Sequence, residues 1–162
     1  MSLGKLFFMG MESTANIPEK LRLPYDRGSL SQIRVVLDGM QARLGISDAC
    51  CLALRLVLEE LVTNSIMHGQ PTADRDGSET GIHVDFHIED QFLIFRYVDH
   101  GSPFDPRADL PRDAREDHLD DRPDGQLGWA LILHYCDLLD YQRASGQNRM
   151  LLRLREEIPA AP

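Results

Sequence analysis

The chain has 162 residues, of which 43% are hydrophobic, and its formal net charge is −9 at pH 7. This length suits one domain, and this hydrophobic fraction is enough for a core and too high for a disordered chain. The acidic balance argues against a general nucleic-acid binder, which needs a basic surface to displace counterions, but it permits an anionic small ligand where positive groups or a metal gather locally.

The N-terminal run MSLGKLFFMGMES contains one lysine and a short apolar patch. A secretory signal needs a longer apolar region and a small-residue cleavage site. We therefore predict a flexible lead-in over residues 1–17 and a single domain over residues 18–157. The longest apolar runs, such as Trp129 to Leu133, are far too short to span a bilayer, so we expect no membrane segment.

The domain is predicted to begin with a strand and a helix. Weak alternation of apolar and polar residues from Glu19 to Tyr25 predicts the strand. The following helix is expected to be capped by Ser29 or Ser31 and to end at about Leu44, where Gly45 suits the position after a helix. Its apolar residues follow the helical period: Ile33, Val36, Leu37, Met40 and Leu44.

A second helix, capped by Ser47, is predicted from Asp48 to about His68. On a helical wheel its core face is formed by Cys51, Leu54, Leu58, Leu61, Val62 and Ser65. An ordinary solvent face is formed by Arg55, Glu59 and Thr63.

A separate stripe of this helix carries Glu60, Asn64 and His68 at a strict four-residue spacing. A carboxylate, an amide and an imidazole therefore line one edge of the buried face. Plain boundary residues of a helix would give the same pattern, so the spacing by itself leaves a structural and a functional interpretation open.

After a polar loop over residues 70–80, alternation predicts two strands, Ile82 to Glu89 and Phe92 to Val98, joined by a tight turn near Asp90. Residues 99–128 lack periodicity and are rich in proline, glycine and charge. A segment of this length inside a compact domain is typically a functional lid or disordered.

The C-terminal part is predicted to contain a helix from Leu127 to Cys136, followed by a hairpin. The hairpin strands are Leu138 to Arg143 and Arg149 to Arg155, on either side of Ser145-Gly-Gln-Asn148. The order of elements predicts an α+β fold, a two-layer sandwich in which a mixed, mostly antiparallel sheet carries helices on one face.

The three cysteines are Cys50, Cys51 and Cys136. An odd count with two adjacent residues is neither a disulfide framework nor a zinc pattern. We expect reduced, buried thiols in a cytoplasmic protein.

Two further stretches carry chemistry. In Val98-Asp-His-Gly-Ser-Pro-Phe-Asp-Pro106, the carboxylate at the end of a strand could accept a hydrogen bond from an exocyclic amine, while Gly101 lets a flat ring approach the backbone. The structural alternative is an ordinary acid–glycine turn. In Gly125-Gln-Leu-Gly-Trp-Ala-Leu-Ile132, two glycines lead into a helix whose free N–H groups favour phosphate oxygens; a loop that needs positive φ is the alternative. No GxxxxGK[ST] motif is present, so this is not a P-loop.

Together these stretches resemble the N, G1 and G2 boxes of the GHKL ATPases, which have the Bergerat ATP-binding fold. The resemblance is strongest to the anti-sigma-factor type of serine-protein kinase, and it runs from about Leu21 to Leu154. The N box is E-x-x-x-N-x-x-x-H-G from Glu60 to Gly69, G1 is D-x-G-x-P-F-D-P from Asp99 to Pro106, and G2 is G-x-L-G from Gly125.

The resemblance implies a cofactor site for ATP or ADP with Mg²⁺. Asn64 would ligate Mg²⁺ through its side-chain oxygen, as suits a hard cation that also holds phosphates. Asp99 would accept the adenine amine, with Gly101 making room for the base, while Gly125 and Gly128 would let the backbone wrap the phosphates.

Residues 104–125 would form the ATP lid, and its arginines are candidates for phosphate contacts: Arg107, Arg112, Arg115 and Arg122. Glu60, one turn before Asn64, would orient or deprotonate an incoming hydroxyl. His68 is either a phosphate contact or a packing histidine at the end of the helix. Many relatives support the adenine with a threonine on the final strand, whereas this chain has Asn148-Arg-Met-Leu-Leu152.

The function implied is a protein serine/threonine kinase that phosphorylates a small antagonist protein and sequesters a sigma factor or a similar regulator, and thereby regulates transcription. The alternative is a nucleotide-dependent binding or switch module without efficient phosphotransfer. A third interpretation, a sensor-kinase fragment acting on histidine, is disfavoured because no phosphoacceptor-histidine helix precedes the domain. The resemblance also implies a homodimer and no direct contact with nucleic acid or membrane.

Overall fold

The computed structural model describes residues 19–44, 46–68, 81–105 and 127–157. In these ranges the helices are α1 (Gly28–Leu44), α2 (Asp48–His68) and α3 (Leu127–Tyr135). The strands are β1 (Glu19–Leu23), β2 (Ile82–Glu89), β3 (Phe92–Asp99), β4 (Cys136–Ala144) and β5 (Gln147–Glu157). The predicted lead-in over 1–17, the loop over 70–80 and residues 106–125 of the predicted lid lie outside the described residues.

Every predicted helix and strand in the described ranges is confirmed, and α2 has the predicted bounds. Ser47 caps α2 as expected, because its hydroxyl accepts the Cys50 N–H at 3.0 Å. The predicted cap of α1 was wrong: Asp26 Oδ1 accepts the Gly28 N–H at 2.7 Å, while the buried Ser29 hydroxyl donates to the Pro24 carbonyl. The turn after β1 brings Asp26 to the helix start, which helical periodicity alone does not reveal.

The sheet has the strand order β1-β2-β3-β5-β4, and all four pairings of the described strands are antiparallel. The α+β prediction is confirmed, and the sheet predicted as mixed and mostly antiparallel is antiparallel throughout these strands. Because β5 lies between β3 and β4, Asp99 at the end of β3 pairs with Asn148 near the start of β5.

Both hairpins close with two-residue turns. Asp90 and Gln91 have φ of 48° and 68°, and Ser145 and Gly146 have φ of 51° and 74°. Two successive residues with positive φ are the signature of a type I′ turn, whose twist matches the flanking strands. The second turn is therefore shorter than the predicted four-residue connection, and Asn148 belongs to β5.

One hydrophobic core joins α2, its neighbouring helices and the inner face of the sheet. Leu54 and Leu58 of α2 are fully buried, each contributing about 1.5–3 kcal/mol relative to an exposed side chain. The predicted core face needs one correction: Cys50 is fully buried, whereas Cys51 is only partly buried, with its thiol directed at the Leu37 carbonyl of α1.

The three cysteines are free, as predicted. No helix in the described ranges is both long and apolar enough to cross a membrane.

Candidate functional site

A cavity of about 470 Å³ opens beside the C-terminal half of α2, the end of β3, the start of α3 and β5. Its lining combines apolar side chains with a few polar ones: Leu61, Asn64, Ser65, His68, Tyr97, Asp99, Ser102, Pro103, Phe104, Trp129, Asn148 and Met150. A largely apolar pocket with a small number of convergent polar groups is typical of small-molecule binding sites.

Asp99 is the only carboxylate among these lining residues, and it is 4% exposed. Its Oδ1 accepts the Gly101 N–H at 2.8 Å and an Asn148 amide N–H at 2.9 Å. Among the described residues, its Oδ2 accepts only a longer bond from the Ser65 hydroxyl, at 3.3 Å. A carboxylate has about four acceptor sites, two on each oxygen, so one site on Oδ2 remains for a ligand donor.

Ser65 links Asp99 to the buried phenol of Tyr97. The two hydroxyls are 2.8 Å apart, and the Tyr97 hydroxyl also lies 3.1 Å from the Leu61 carbonyl. Burial raises the pKa of Tyr97 well above its usual value of 10, with Asp99 adding to the effect and the Ser65 bond opposing it. Tyr97 therefore stays protonated and keeps a donor for this network.

The loop after Asp99 is anchored from outside the cavity. The His100 N–H donates to the Tyr25 hydroxyl at 2.6 Å, and the Gly101 carbonyl accepts from Arg143 at 2.8 Å. Burial raises the pKa of Tyr25 to about 12, so this phenol too remains protonated. These contacts hold in place the backbone that follows Asp99.

Glu60, Asn64 and Gly128 meet at one end of the cavity. A methyl group in place of a Gly128 hydrogen would overlap Glu60 Oε2 and would lie 3.8 Å from Asn64 Nδ2. Gly128 is the second residue of α3, so the Glu60 carboxylate occupies the space beside the start of that helix. Among the described residues, neither the Glu60 carboxylate nor the Asn64 amide has a hydrogen-bond partner.

Aromatic rings form another wall. The rings of Phe104 and Trp129 make an edge-to-face contact, with centroids 6.4 Å apart. Phe104 is 44% exposed, whereas Trp129 is 9% exposed, and its indole N–H finds no acceptor among the described residues. This wall offers apolar surface for a flat ring, and it contains the only tryptophan of the chain.

The structure brings most of the predicted site residues together. Asn64, His68 and Asp99 line the cavity, and Glu60 and Gly128 adjoin Asn64 at its end. Gly101 is buried and does not line the cavity, and its N–H donates to the Asp99 carboxylate. Gly125 and the four candidate arginines, Arg107, Arg112, Arg115 and Arg122, lie outside the described residues.

Several lining residues escaped the sequence analysis. Tyr97 could have been found, because it lies two residues before Asp99 on the same strand and shares its face. In the sequence, Asn148 stands out only as a departure from a family pattern, and its pairing with Asp99 depends on the strand order. Trp129 belongs to the G-x-L-G-W stretch, but its position on the cavity wall depends on packing.

The polar groups suit a metal held mainly by a ligand's phosphates and by water. Among the described residues, no cluster of three or more histidine, cysteine, aspartate or glutamate side chains could enclose a metal ion. Asn64 offers a neutral oxygen that no other described residue engages, which suits Mg²⁺, a cation that retains several waters and commonly takes one or two protein ligands.

Comparisons with known proteins agree with this architecture. A family model, the histidine kinase-like ATPase domain, matches residues 23–155. The serine-protein kinase RsbW of Staphylococcus epidermidis is 30% identical over 140 residues, which cover 84% of this chain and 85% of that protein. RsbW of Listeria innocua is 33% identical over 85 residues, or 52% of each chain.

A solved structure of the RsbU and RsbW domains of a Mycobacterium tuberculosis protein covers 91% of this chain with a TM-score of 0.60 and 16% identity. This chain spans 34% of that solved chain. At this identity the likeness shows the fold alone.

Proposed function

Because the chain belongs to the histidine kinase-like ATPase domain family, we propose that it binds ATP with Mg²⁺ and transfers the terminal phosphoryl group to a serine or threonine of a small antagonist protein. By its resemblance to the anti-sigma-factor type of serine-protein kinase, it would also sequester a sigma factor or a similar regulator, as a homodimer. The observation that carries the nucleotide site is the convergence of Asn64, Asp99 and the Glu60–Gly128 contact on one cavity.

The chemistry follows from the groups at each end of the cavity. Asp99 presents one unused acceptor site, which would receive the exocyclic amine of adenine against the aromatic wall. Asn64 would hold Mg²⁺, which supplies charge neutralisation at the phosphates when bound. Glu60 adjoins Asn64, so its carboxylate would orient the acceptor hydroxyl and take its proton.

The first experiment measures thermal stability with ADP and with ATP, each with and without Mg²⁺. A ligand that binds only the native state stabilises it by about 2.7 kcal/mol at a hundredfold excess over Kd. We expect a Mg²⁺-dependent shift that is lost in Asn64→Ala and kept in Thr63→Ala, which alters a neighbour on the solvent face. A folded wild-type protein that shows no shift with any nucleotide would contradict the proposal.

The second experiment separates a kinase from a switch module. Glu60→Gln should keep ADP binding and lose transfer to a purified candidate antagonist protein that the wild-type protein phosphorylates. Glu59→Gln is the matched control. Glu59 forms an ion pair with Arg55 at an N–O distance of 2.8 Å, and neither residue lines the cavity. Nucleotide binding without transfer by the wild-type protein would favour the switch module, and unchanged transfer in Glu60→Gln would remove the role of Glu60.

A further inference from the structure

The side-chain amide of Asn148 ties the polar floor of the cavity together. Asn148 is 2% exposed, and its two N–H groups are both used. One donates to Asp99 Oδ1 and the other to the Ser102 carbonyl, each at 2.9 Å. Both acceptors lie in or directly after the end of β3, so the amide grips this segment from the neighbouring strand.

The oxygen of the same amide is equally occupied. It accepts the Phe104 N–H at 3.3 Å, the Tyr141 hydroxyl at 3.0 Å and an Arg143 N–H at 3.0 Å. If the side-chain amide were flipped, its N–H groups would face the three donors and its oxygen would face the two acceptors. The surrounding network therefore determines which way the amide points.

We propose that Asn148 is a positioning residue that determines base specificity. By occupying Asp99 Oδ1, it holds the carboxylate so that the unused acceptor site on Oδ2 serves a ligand donor. A 6-aminopurine supplies that donor, whereas a 6-oxopurine would place an acceptor against an acceptor and leave buried polar groups unpaired. This proposal rests on the proposed nucleotide-binding function and adds the residue that enforces its choice of base.

The position of the partners distinguishes this role from ordinary strand packing. Asp99, Ser102 and Phe104 all line the cavity, and each is bonded to the Asn148 amide through its side chain or backbone. Tyr141 and Arg143 come from β4, do not line the cavity and donate to the amide oxygen. A change at Asn148 should therefore alter what the cavity selects and not only how stable the fold is.

The test is Asn148→Asp, a nearly isosteric change that sets a carboxyl group against Asp99. Two carboxylates at this distance repel, so either Asp99 turns away or one of the pair holds a proton. Among the described residues, the other titratable or charged groups next to the pair are Tyr25, Tyr97, His100, Tyr141 and Arg143, and His68 lines the same cavity. ADP and GDP are the probes, and binding is followed by Trp129 fluorescence in the full chain.

At about pH 8, we expect Asn148→Asp to weaken ADP binding on the order of tenfold and to leave GDP binding little changed, so that the preference for ADP falls. Lowering the pH to about 5 should restore ADP binding toward the wild-type value at that pH, because a shared proton replaces the amide hydrogen. A merely structural role would not produce this recovery.

Gln142→Glu is the matched control. Its amide donates to Asp140 Oδ2 at 2.9 Å on the same hairpin, but neither residue lines the cavity. The substitution also places a new carboxylate opposite an existing one, that of Asp140, so it reproduces the change in charge without contacting Asp99. We expect wild-type preference for ADP over GDP in this variant at both pH values.

The outcomes are distinguishable. A folded Asn148→Asp protein with lower thermal stability but an unchanged ADP-to-GDP ratio would overturn the inference and leave the proposed function intact. If that variant does not fold, Tyr141→Phe removes one donor to the Asn148 oxygen and should still lower the ratio a few-fold; an unchanged ratio there overturns the inference. If the wild-type protein binds neither nucleotide, the proposed function fails and this inference fails with it.

Discussion

Gly128→Ala tests whether the space beside Gly128 determines the position of Glu60. Of the glycines described, only Gly146 has positive φ, so the backbone at Gly128 accepts alanine. The added methyl would overlap the Glu60 carboxylate, which lies at the end of a flexible side chain. The fold should therefore tolerate the change, while the carboxylate must move.

The magnitudes favour an effect on transfer and not on stability. Restoring van der Waals contact requires the carboxylate to move by about 1 Å, and a misplacement of that size can reduce a positioned reaction by about a hundredfold. In a helix, alanine is up to about 1 kcal/mol more favourable than glycine, which offsets the side-chain shift. We therefore expect near wild-type stability, with single-turnover transfer lower by about a hundredfold at saturating ATP.

The assay compares urea unfolding, ADP titration of Trp129 fluorescence and single-turnover transfer in the two proteins. Gly39→Ala is the control, because it adds the same methyl to α1, where the nearest atoms belong to the guanidinium end of the Arg43 side chain. Transfer within twofold of wild type in Gly128→Ala would refute the argument that this contact positions Glu60.

Three other results are expected. ADP should change the fluorescence of Trp129, the only tryptophan. Trp129→Phe should abolish this signal, while calorimetry should still give an affinity for ADP within a few-fold of wild type. An unchanged fluorescence of the wild-type protein at saturating ADP would place the ligand elsewhere. Tyr97→Phe removes a buried hydroxyl that contacts Ser65 and the Leu61 carbonyl, so it should lower the free energy of unfolding by about 1–2 kcal/mol in urea, and no loss would show that the network contributes little. Burial raises the pKa of the Cys136 thiol to about 12, so as the pH rises the unfolded chain loses this proton before the folded protein does. The free energy of unfolding should therefore fall with rising pH, by up to about 1.4 kcal/mol per pH unit above about pH 9. Cys136→Ala should show a flatter dependence in urea titrations, and an identical slope would contradict the assignment.

Local patterns in the sequence predicted the elements well because those patterns are short-range. Residues four apart lie on one edge of a helix whatever the helix packs against, so Glu60, Asn64 and His68 had to share a stripe. The errors arose where a neighbouring element intervened. Asp26, brought in by the turn after β1, replaced the expected serine cap, and Cys50 in place of Cys51 is the fully buried one of the two adjacent cysteines.

The sequence by itself therefore determined the order of elements, the polar stripe of α2 and the acidic end of β3, since each depends on periodicities of two or about four residues. The tertiary structure alone decided that Asn148 pairs with Asp99, because this contact requires β5 to lie between β3 and β4. It also decided that Gly128 makes room for Glu60. Both contacts join residues that are distant in the chain, and the packing of whole elements into one core brings them together.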